Sequence, residues 1–347
     1  MSNHTKLSGK IQTVTGLIDP EELGSTLMHE HLIVDLNPLS QRAKPLPPDD
    51  IITLENSFKI RYGQLSSANN FRLDEPDVAI AELKELKAAG GNSLVELTIG
   101  GIGPEPETLA RISRESGINI VMGCGHYVHG YHFPENKDRS VDSFASEMIA
   151  AIREGAWGTN IRAGIIGEIG CEEPWDAAER RVLEGAVLAQ METGASLNVH
   201  PGRHPDQPKK VADFVRSTGG IVERLIVSHI ERTIFDEERL LRLADTGAIL
   251  EFDLFGWEQS AYGPADIDMP NDNLRVKWIK VLLDRGYGDQ LVISHDIFSK
   301  TRLLRYGGHG YQHIYANILP FMRRRGISDE QIRSMMVDTP RRLLTFK

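Results

Sequence analysis

Amphipathic stretches at helical spacing alternate with short, nearly unbroken apolar runs along most of this chain, and glycine commonly separates the two. Asp77–Ala89 places Ile80, Leu83 and Leu86 on one helical face, Gly90-Gly91 ends it, and Ser93–Thr98 follows as a strand. The unit recurs. A helix through Leu109 and Ile112 stops at Gly117 before Ile118–Gly123; a helix over Ser143–Arg153 precedes Ala163–Gly170; Asp176–Thr193 stops at Gly194 before Ser196–His200. Three more follow, ending at Gly219-Gly220, Gly247 and near Gly286 ahead of Leu225–Ser228, Ala248–Phe255 and Leu291–Ser294.

With the earlier strand around Leu27-Met28-His29-Glu30-His31-Leu32, the pattern predicts eight strands with helices between them. Runs such as Arg224-Leu225-Ile226-Val227-Ser228 are apolar on both faces, as in parallel strands covered on each side. No glycine-rich phosphate loop follows the first strand, so the expected fold is an α/β (β/α)8 TIM barrel rather than an open doubly wound sheet. We expect a single domain over 1–347: an extension over 1–24 holding a short strand or hairpin (Ile11–Asp19), then the barrel over 25–347. Asn37–Leu73, with Lys44-Pro45-Leu46-Pro47-Pro48 inside it, is polar and irregular and is expected to cover a site. Thr339–Leu344 is expected to be a terminal helix closing the barrel.

Composition narrows the partners. The formal charge of −10, with no long basic run, argues against nucleic acid and anionic membrane and for a small-molecule substrate. Only two cysteines occur, Cys124 and Cys171, with neither a disulfide framework nor ligand spacing. The N-terminus leads into no apolar signal core, and no stretch is long enough to span a bilayer. A cytoplasmic location is the expectation.

The candidate chemistry gathers at the strand ends, where barrels of this kind carry their active sites. On an extended strand His29 and His31 point the same way and Glu30 the other. Two imidazoles facing one cavity suit nitrogen ligation of a metal, although the motif is short and common, and taken alone it favours histidines hydrogen-bonded to neighbours. Strand four adds Glu168, strand five His200, strand six His229 and strand eight Asp296. Each has an ordinary structural reading, Glu168 paired with Arg162 or Arg232 and Asp296 as a helix cap among them, yet six such groups at independent strand ends point to a two-metal site. The donors are all nitrogen or oxygen, which suits zinc, manganese, cobalt or iron and argues against thiolate-selected metals.

Gln12–Gly16, Leu23–His31, Gly164–Gly170, Val199-His200-Pro201-Gly202-Arg203, Ser228–Thr233 and His295-Asp296 together resemble the phosphotriesterase-like branch of the amidohydrolase superfamily. Glu251–Gly256, Asp266–Pro270 and Tyr306–Tyr311 through to Lys347 extend the likeness to the phosphotriesterase-related proteins of animals, over essentially the whole chain. The resemblance implies that His29, His31 and Asp296 hold the more buried of two divalent ions, zinc foremost, that His200 and His229 hold the more exposed one, and that Glu168 bridges them in place of the carboxylated lysine of phosphotriesterases proper. It also implies a metal-bridging hydroxide, with Asp296 as the base that takes and returns its proton. Hydroxide is available near neutrality because even a single bound zinc lowers the pKa of water to about 7. Family barrels often pair, so a homodimer is expected too.

Arg232 stands where triesterases carry an acidic relay residue, and Asp253 stands on strand seven with no histidine after it. Both departures weaken the case for phosphotriester hydrolysis. The expected activity is therefore hydrolysis of a small N-acyl amide, as in relatives associated with N-acetyl-taurine, with esters and lactones as near variants. A phosphotriester or phosphodiester hydrolase is the alternative within enzymes, and a non-catalytic small-molecule-binding barrel the alternative outside them. Tyr127, Arg203, Lys300 and Arg302 follow the strands that should shape the pocket. Arg203, Lys300 and Arg302 together would suit an anionic substrate tail. His129, His204 and Trp257 lie in the same loops, while His309 and His313 lack the glutamate of a metalloprotease helix and are taken as loop structure.

Overall fold

The computed structural model describes residues 7–42, 44–260, 262–263 and 265–347; residues 1–6, at the head of the expected extension, lie outside them. Eight parallel strands run in chain order: β1 (Thr26–Glu30), β2 (Ser93–Glu96), β3 (Asn119–Met122), β4 (Ile166–Gly170), β5 (Leu197–His200), β6 (Leu225–Val227), β7 (Ile249–Phe252) and β8 (Leu291–Ile293). Ladders join β1 to β3 and β4 to β8.

Two seams close the cylinder. Between β3 and β4 the Gly164 and Gly167 amides donate to the Met122 and Cys124 carbonyls at 2.9 and 2.7 Å. A Cβ on Gly123 would sit 2.0 Å from the Gly167 carbonyl oxygen, so this approach requires glycine. Between β8 and β1 the Asp296 amide donates to the His29 carbonyl at 3.1 Å, and the His29 amide donates to Ser294 Oγ at 3.0 Å. The second seam therefore ties two expected metal-binding positions together. The result is a (β/α)8 barrel.

The helices form the outer ring: α1 (Pro76–Ala88), α2 (Pro106–Ser116), α3 (Val141–Arg153), α4 (Ala177–Thr193), α5 (Gln207–Ser217), α6 (Glu237–Ala244) and α7 (Asp272–Asp284). Proline opens α1 and α2, and the Asp176 carboxylate accepts from the first-turn amides of α4. Most strands are shorter than the apolar runs that predicted them, because the chain leaves the ladder to build loops at the C-terminal face.

Met28, Val95, Val121, Ile226, Ile249 and Val292 belong to an inner core cluster, with Leu343 of the terminal helix Thr339–Leu344. A hairpin of Ile11–Thr13 against Gly16–Ile18 joins that helix in closing the bottom: the Val14 amide donates to the Ile120 carbonyl at 2.8 Å and the Phe346 amide to the Lys10 carbonyl at 3.0 Å. The polar excursion after β1 folds into two short helices, Leu39–Arg42 and Leu54–Arg61, and a two-residue pairing of Val34–Asp35 with Arg72–Leu73. Among the described residues no helix is long and apolar enough to cross a membrane.

Candidate metal centre and active-site cavity

β1 delivers His29 and His31, and a register shift between Leu27 and Glu30 interrupts the regular alternation there. Glu30 turns away from both histidines and holds the end of β8: it accepts from Ser294 Oγ (2.8 Å), the His295 amide (2.9 Å) and the Ile297 amide (3.0 Å). That clamp fixes the backbone on which Asp296 stands, in left-handed conformation at φ 52.

Glu168, on β4, stands at the centre of the cluster. Its Oε1 lies 3.3 Å from His29 Nε2 and 3.4 Å from His31 Nε2, while its Oε2 lies 2.9 Å from His200 Nδ1 and 3.4 Å from His229 Nε2. Asp296 Oδ1 is 3.1 Å from His31 Nε2 and 3.7 Å from His29 Nε2. One carboxylate thus divides its oxygens between two histidine pairs, and Asp296 joins the first. All six residues are buried.

The donors fit divalent cations. His29 Nε2, buried and aimed at the two carboxylates, has no hydrogen-bond partner. Burial works against positive charge on His29 and His31, yet Glu168 and Asp296 outweigh it, lifting His29 well above the ordinary imidazole range and His31 to about 9. Burial likewise opposes charge on Glu168, but His29, His200 and His229 hold it well below the usual carboxylate range. Burial, with His229 beside it, holds His200 well below the ordinary imidazole range, and the two carboxylates place negative charge among the imidazoles, the condition for cation binding.

Outer partners orient the rings. Asp253, past the end of β7, accepts from His29 Nδ1 through Oδ2 and from His229 Nδ1 through Oδ1, each at 2.9 Å, which leaves both Nε2 atoms turned toward Glu168. His31 Nδ1 lies 2.9 Å from Thr98 Oγ1, which donates to Glu96 at 2.5 Å. Sequence reasoning had marked Asp253 only as a departure from a proton relay; its position at a strand end was legible, its double hydrogen bond was not.

A cavity of about 570 Å³ opens above the centre. Asn37, Pro38, Gln41, Ser66, Ala68 and Phe71 of the polar excursion wall one side of it, as expected of a covering loop. Tyr127 and Arg203 line it too, with the Tyr127 hydroxyl 3.4 Å from His200 Nδ1. Arg232 and Tyr262, which were not among the expected pocket residues, complete that wall.

Lys300 and Arg302 do not line the cavity, which corrects the expected cationic trio. Lys300 Nζ is held by Asp74 and Glu75, each at 3.0 Å, and by Asn69 at 2.9 Å, pinning the excursion to the loop after β8. Arg302 lies behind Trp257 and Phe298 and donates to the carbonyls of Asp296 (2.6 Å), His295 (2.5 Å) and Phe255 (3.3 Å). Both have used their donors inside the protein. His309 and His313 also serve structure: His313 Nε2 pairs with Asp272 at 2.8 Å, and the His309 ring stacks on His295.

A barrel with this strand-end cluster beneath a cavity defines the class, a metal-dependent barrel hydrolase. The sequence model of the Phosphotriesterase family matches residues 9–344, and the chain belongs to that family. An N-acetyltaurine hydrolase of Xenopus tropicalis is 41% identical over 351 residues, covering 99% of this chain and 100% of that protein. A phosphotriesterase-related protein of Nematostella vectensis is also 41% identical, covering 98% of this chain and 99% of that one. The solved structure of a resiniferatoxin-binding protein from Rhodobacter sphaeroides superposes with TM-score 0.90 at 37% identity, covering 97% of this chain and 95% of that one.

Proposed function

We propose that this chain is a single-domain, two-metal amidohydrolase of the cytoplasm that cleaves a small N-acyl amide of the N-acetyltaurine type, with esters or lactones as secondary substrates. The observation that carries the reading is the division of the Glu168 oxygens between two histidine pairs beneath the cavity. The full-length likeness to N-acetyltaurine hydrolases supports the amide as substrate, and two buried free cysteines support a reducing compartment.

In this reading His29, His31 and Asp296 would hold one ion, zinc first among zinc, manganese, cobalt and iron, His200 and His229 would hold the other, and Glu168 would serve both. Two divalent cations held there would supply Lewis acidity for the carbonyl oxygen and would lower the pKa of water. Asp296 is the general base: its carboxylate takes the proton of the attacking water and returns it to the leaving nitrogen. Asp253 keeps the His29 and His229 rings in register. Tyr127, at the cavity wall beside His200, orients the acyl group, and Arg203 faces the rest of the substrate.

Efficient phosphotriester hydrolysis is disfavoured by the same geometry. Arg232 replaces an acidic relay group, and both Asp253 oxygens are already engaged by imidazoles.

The test is initial rates on N-acetyltaurine, neutral and anionic N-acyl amino acids, aryl esters, lactones and an aryl phosphotriester, with and without chelator, for wild type and Glu168→Ala. We expect chelator-sensitive preference for N-acetyltaurine, and loss of both bound metal and at least about a thousandfold of rate in the variant. Full metal content with full rate in Glu168→Ala removes the bridging role; preference for the phosphotriester removes the amide.

A further inference from the structure

Half-buried Arg203 and buried Arg232 share a property that buried Arg275 and Arg302 lack: among the described residues they border the substrate cavity with only neutral partners. Arg275 is paired with Glu231 (3.1 Å) and Asp272 (2.8 Å). Arg232 is 1% exposed, and its Nη2 lies 3.1 Å from His200 Nε2 and 3.1 Å from the Pro201 carbonyl, with Nη1 3.1 Å from Thr233 Oγ1. Arg203 Nη2 donates to the Tyr262 hydroxyl at 3.1 Å, and its Nε is buried without any partner. The two guanidinium carbons lie 5.3 and 5.9 Å from the centre of the same Tyr262 ring. Among the described residues neither guanidinium pairs with a carboxylate, although Glu172 also lines the cavity.

A buried cation without a counter-charge is costly unless a ligand supplies one, and the planar guanidinium fork matches an oxyanion. Through His200, Arg232 adjoins the half of the centre formed by Glu168 Oε2, His200 and His229. A group bound there lies a short spacer away from a carbonyl at that centre.

We propose that Arg203 and Arg232, organised around Tyr262, form an anion clamp that takes the sulfonate or carboxylate on the amine portion of the substrate. The clamp, not the metal centre, then selects N-acyl aminosulfonates and amino acids over neutral amides. This rests on the amide-hydrolase reading, and Arg232 accordingly replaces the triesterase relay acid with a substrate-binding group.

The experiment uses the metal-loaded full chain and three amides that share a two-carbon amine portion: N-acetyltaurine, N-acetyl-β-alanine and neutral N-ethylacetamide. For Arg203→Gln we expect KM for both anionic amides to rise at least about tenfold more than KM for the neutral one. Tyr262→Phe, which releases Arg203 without removing charge, should give about threefold in the same sense. Arg232→Lys keeps the charge and loses the fork, and should fall between them. Equal KM shifts for anionic and neutral amides overturn the clamp.

Taurine binding by calorimetry gives a readout independent of turnover. Taurine bound by wild type and about tenfold more weakly by Arg203→Gln supports the clamp even where no amide is hydrolysed, an outcome that overturns the amide reading alone. Hydrolysis of N-acetyltaurine with no dependence of KM or taurine affinity on Arg203 or Arg232 does the reverse.

Discussion

Two groups of cations at the mouth of this barrel look alike in sequence and behave differently in the structure. Lys300 and Arg302 follow β8, while Arg203 and Arg232 follow β5 and β6; Lys300, Arg232 and Arg302 are nearly inaccessible to solvent and Arg203 is half-buried. The first pair is saturated, Lys300 by two carboxylates and an amide oxygen, Arg302 by three backbone carbonyls. The second pair borders open cavity and, among the described residues, has no anionic partner. A buried charge next to an active site reads substrate only if its donors are not already committed to holding the loops. Position after a strand does not reveal that, because the partners come from other segments.

The largest effect that would break this contrast is at Arg302. Arg302→Met strands the Asp296, His295 and Phe255 carbonyls, so we expect a loss of about 3 kcal/mol in urea unfolding. Because two of those carbonyls lie where Asp296 is positioned, kcat should fall with it, by at least about tenfold. A variant as stable as wild type but with KM raised selectively for anionic amides would show that Arg302 is a pocket residue after all.

Glu179, on α4, is the acidic counterpart of Arg302: its two oxygens accept the His129 and Glu172 amides at 2.7 and 2.8 Å, holding the loops that carry Tyr127 and Glu172. Burial pushes its carboxyl up to about 7, against about 4.3 in an unfolded chain. Between those values the folded state keeps a proton that the unfolded state has released, so Glu179 contributes less to stability as pH rises through that window. The stability of wild type relative to Glu179→Gln should therefore decline from about pH 5 to about pH 8 in urea titrations. A difference independent of pH would place Glu179 outside the buried, committed class.

Lys300 should show the smallest effect. Its carboxylate partners are about half exposed, at 48% and 43% for their side chains, so Lys300→Met should cost about 1 kcal/mol and shift anionic and neutral KM values alike. A selective rise for anionic amides would return Lys300 to the substrate pocket.

Much of the molecule was readable without coordinates, for reasons local to the chain. The alternation of amphipathic stretches and apolar runs reports directly which faces are buried, and eight strands with helices between them leave few architectures besides the closed barrel. The convergence of the six candidate ligands was legible because strand ends in such a barrel meet on one face, so His29, His31, Glu168, His200, His229 and Asp296 come together through topology. The covering role of the segment after β1 followed from its polarity and length. Only the tertiary structure decided how the supporting groups are used. That Asp253 serves two imidazoles, that Glu30 clamps the loop after β8, that Arg302 faces carbonyls while Arg232 faces the cavity: each depends on pairing between residues far apart in the chain. Periodicity encodes burial and direction, whereas hydrogen-bond partners are set by packing between segments, and the distinction between a charge that holds the fold and one that meets a substrate lies in those partners.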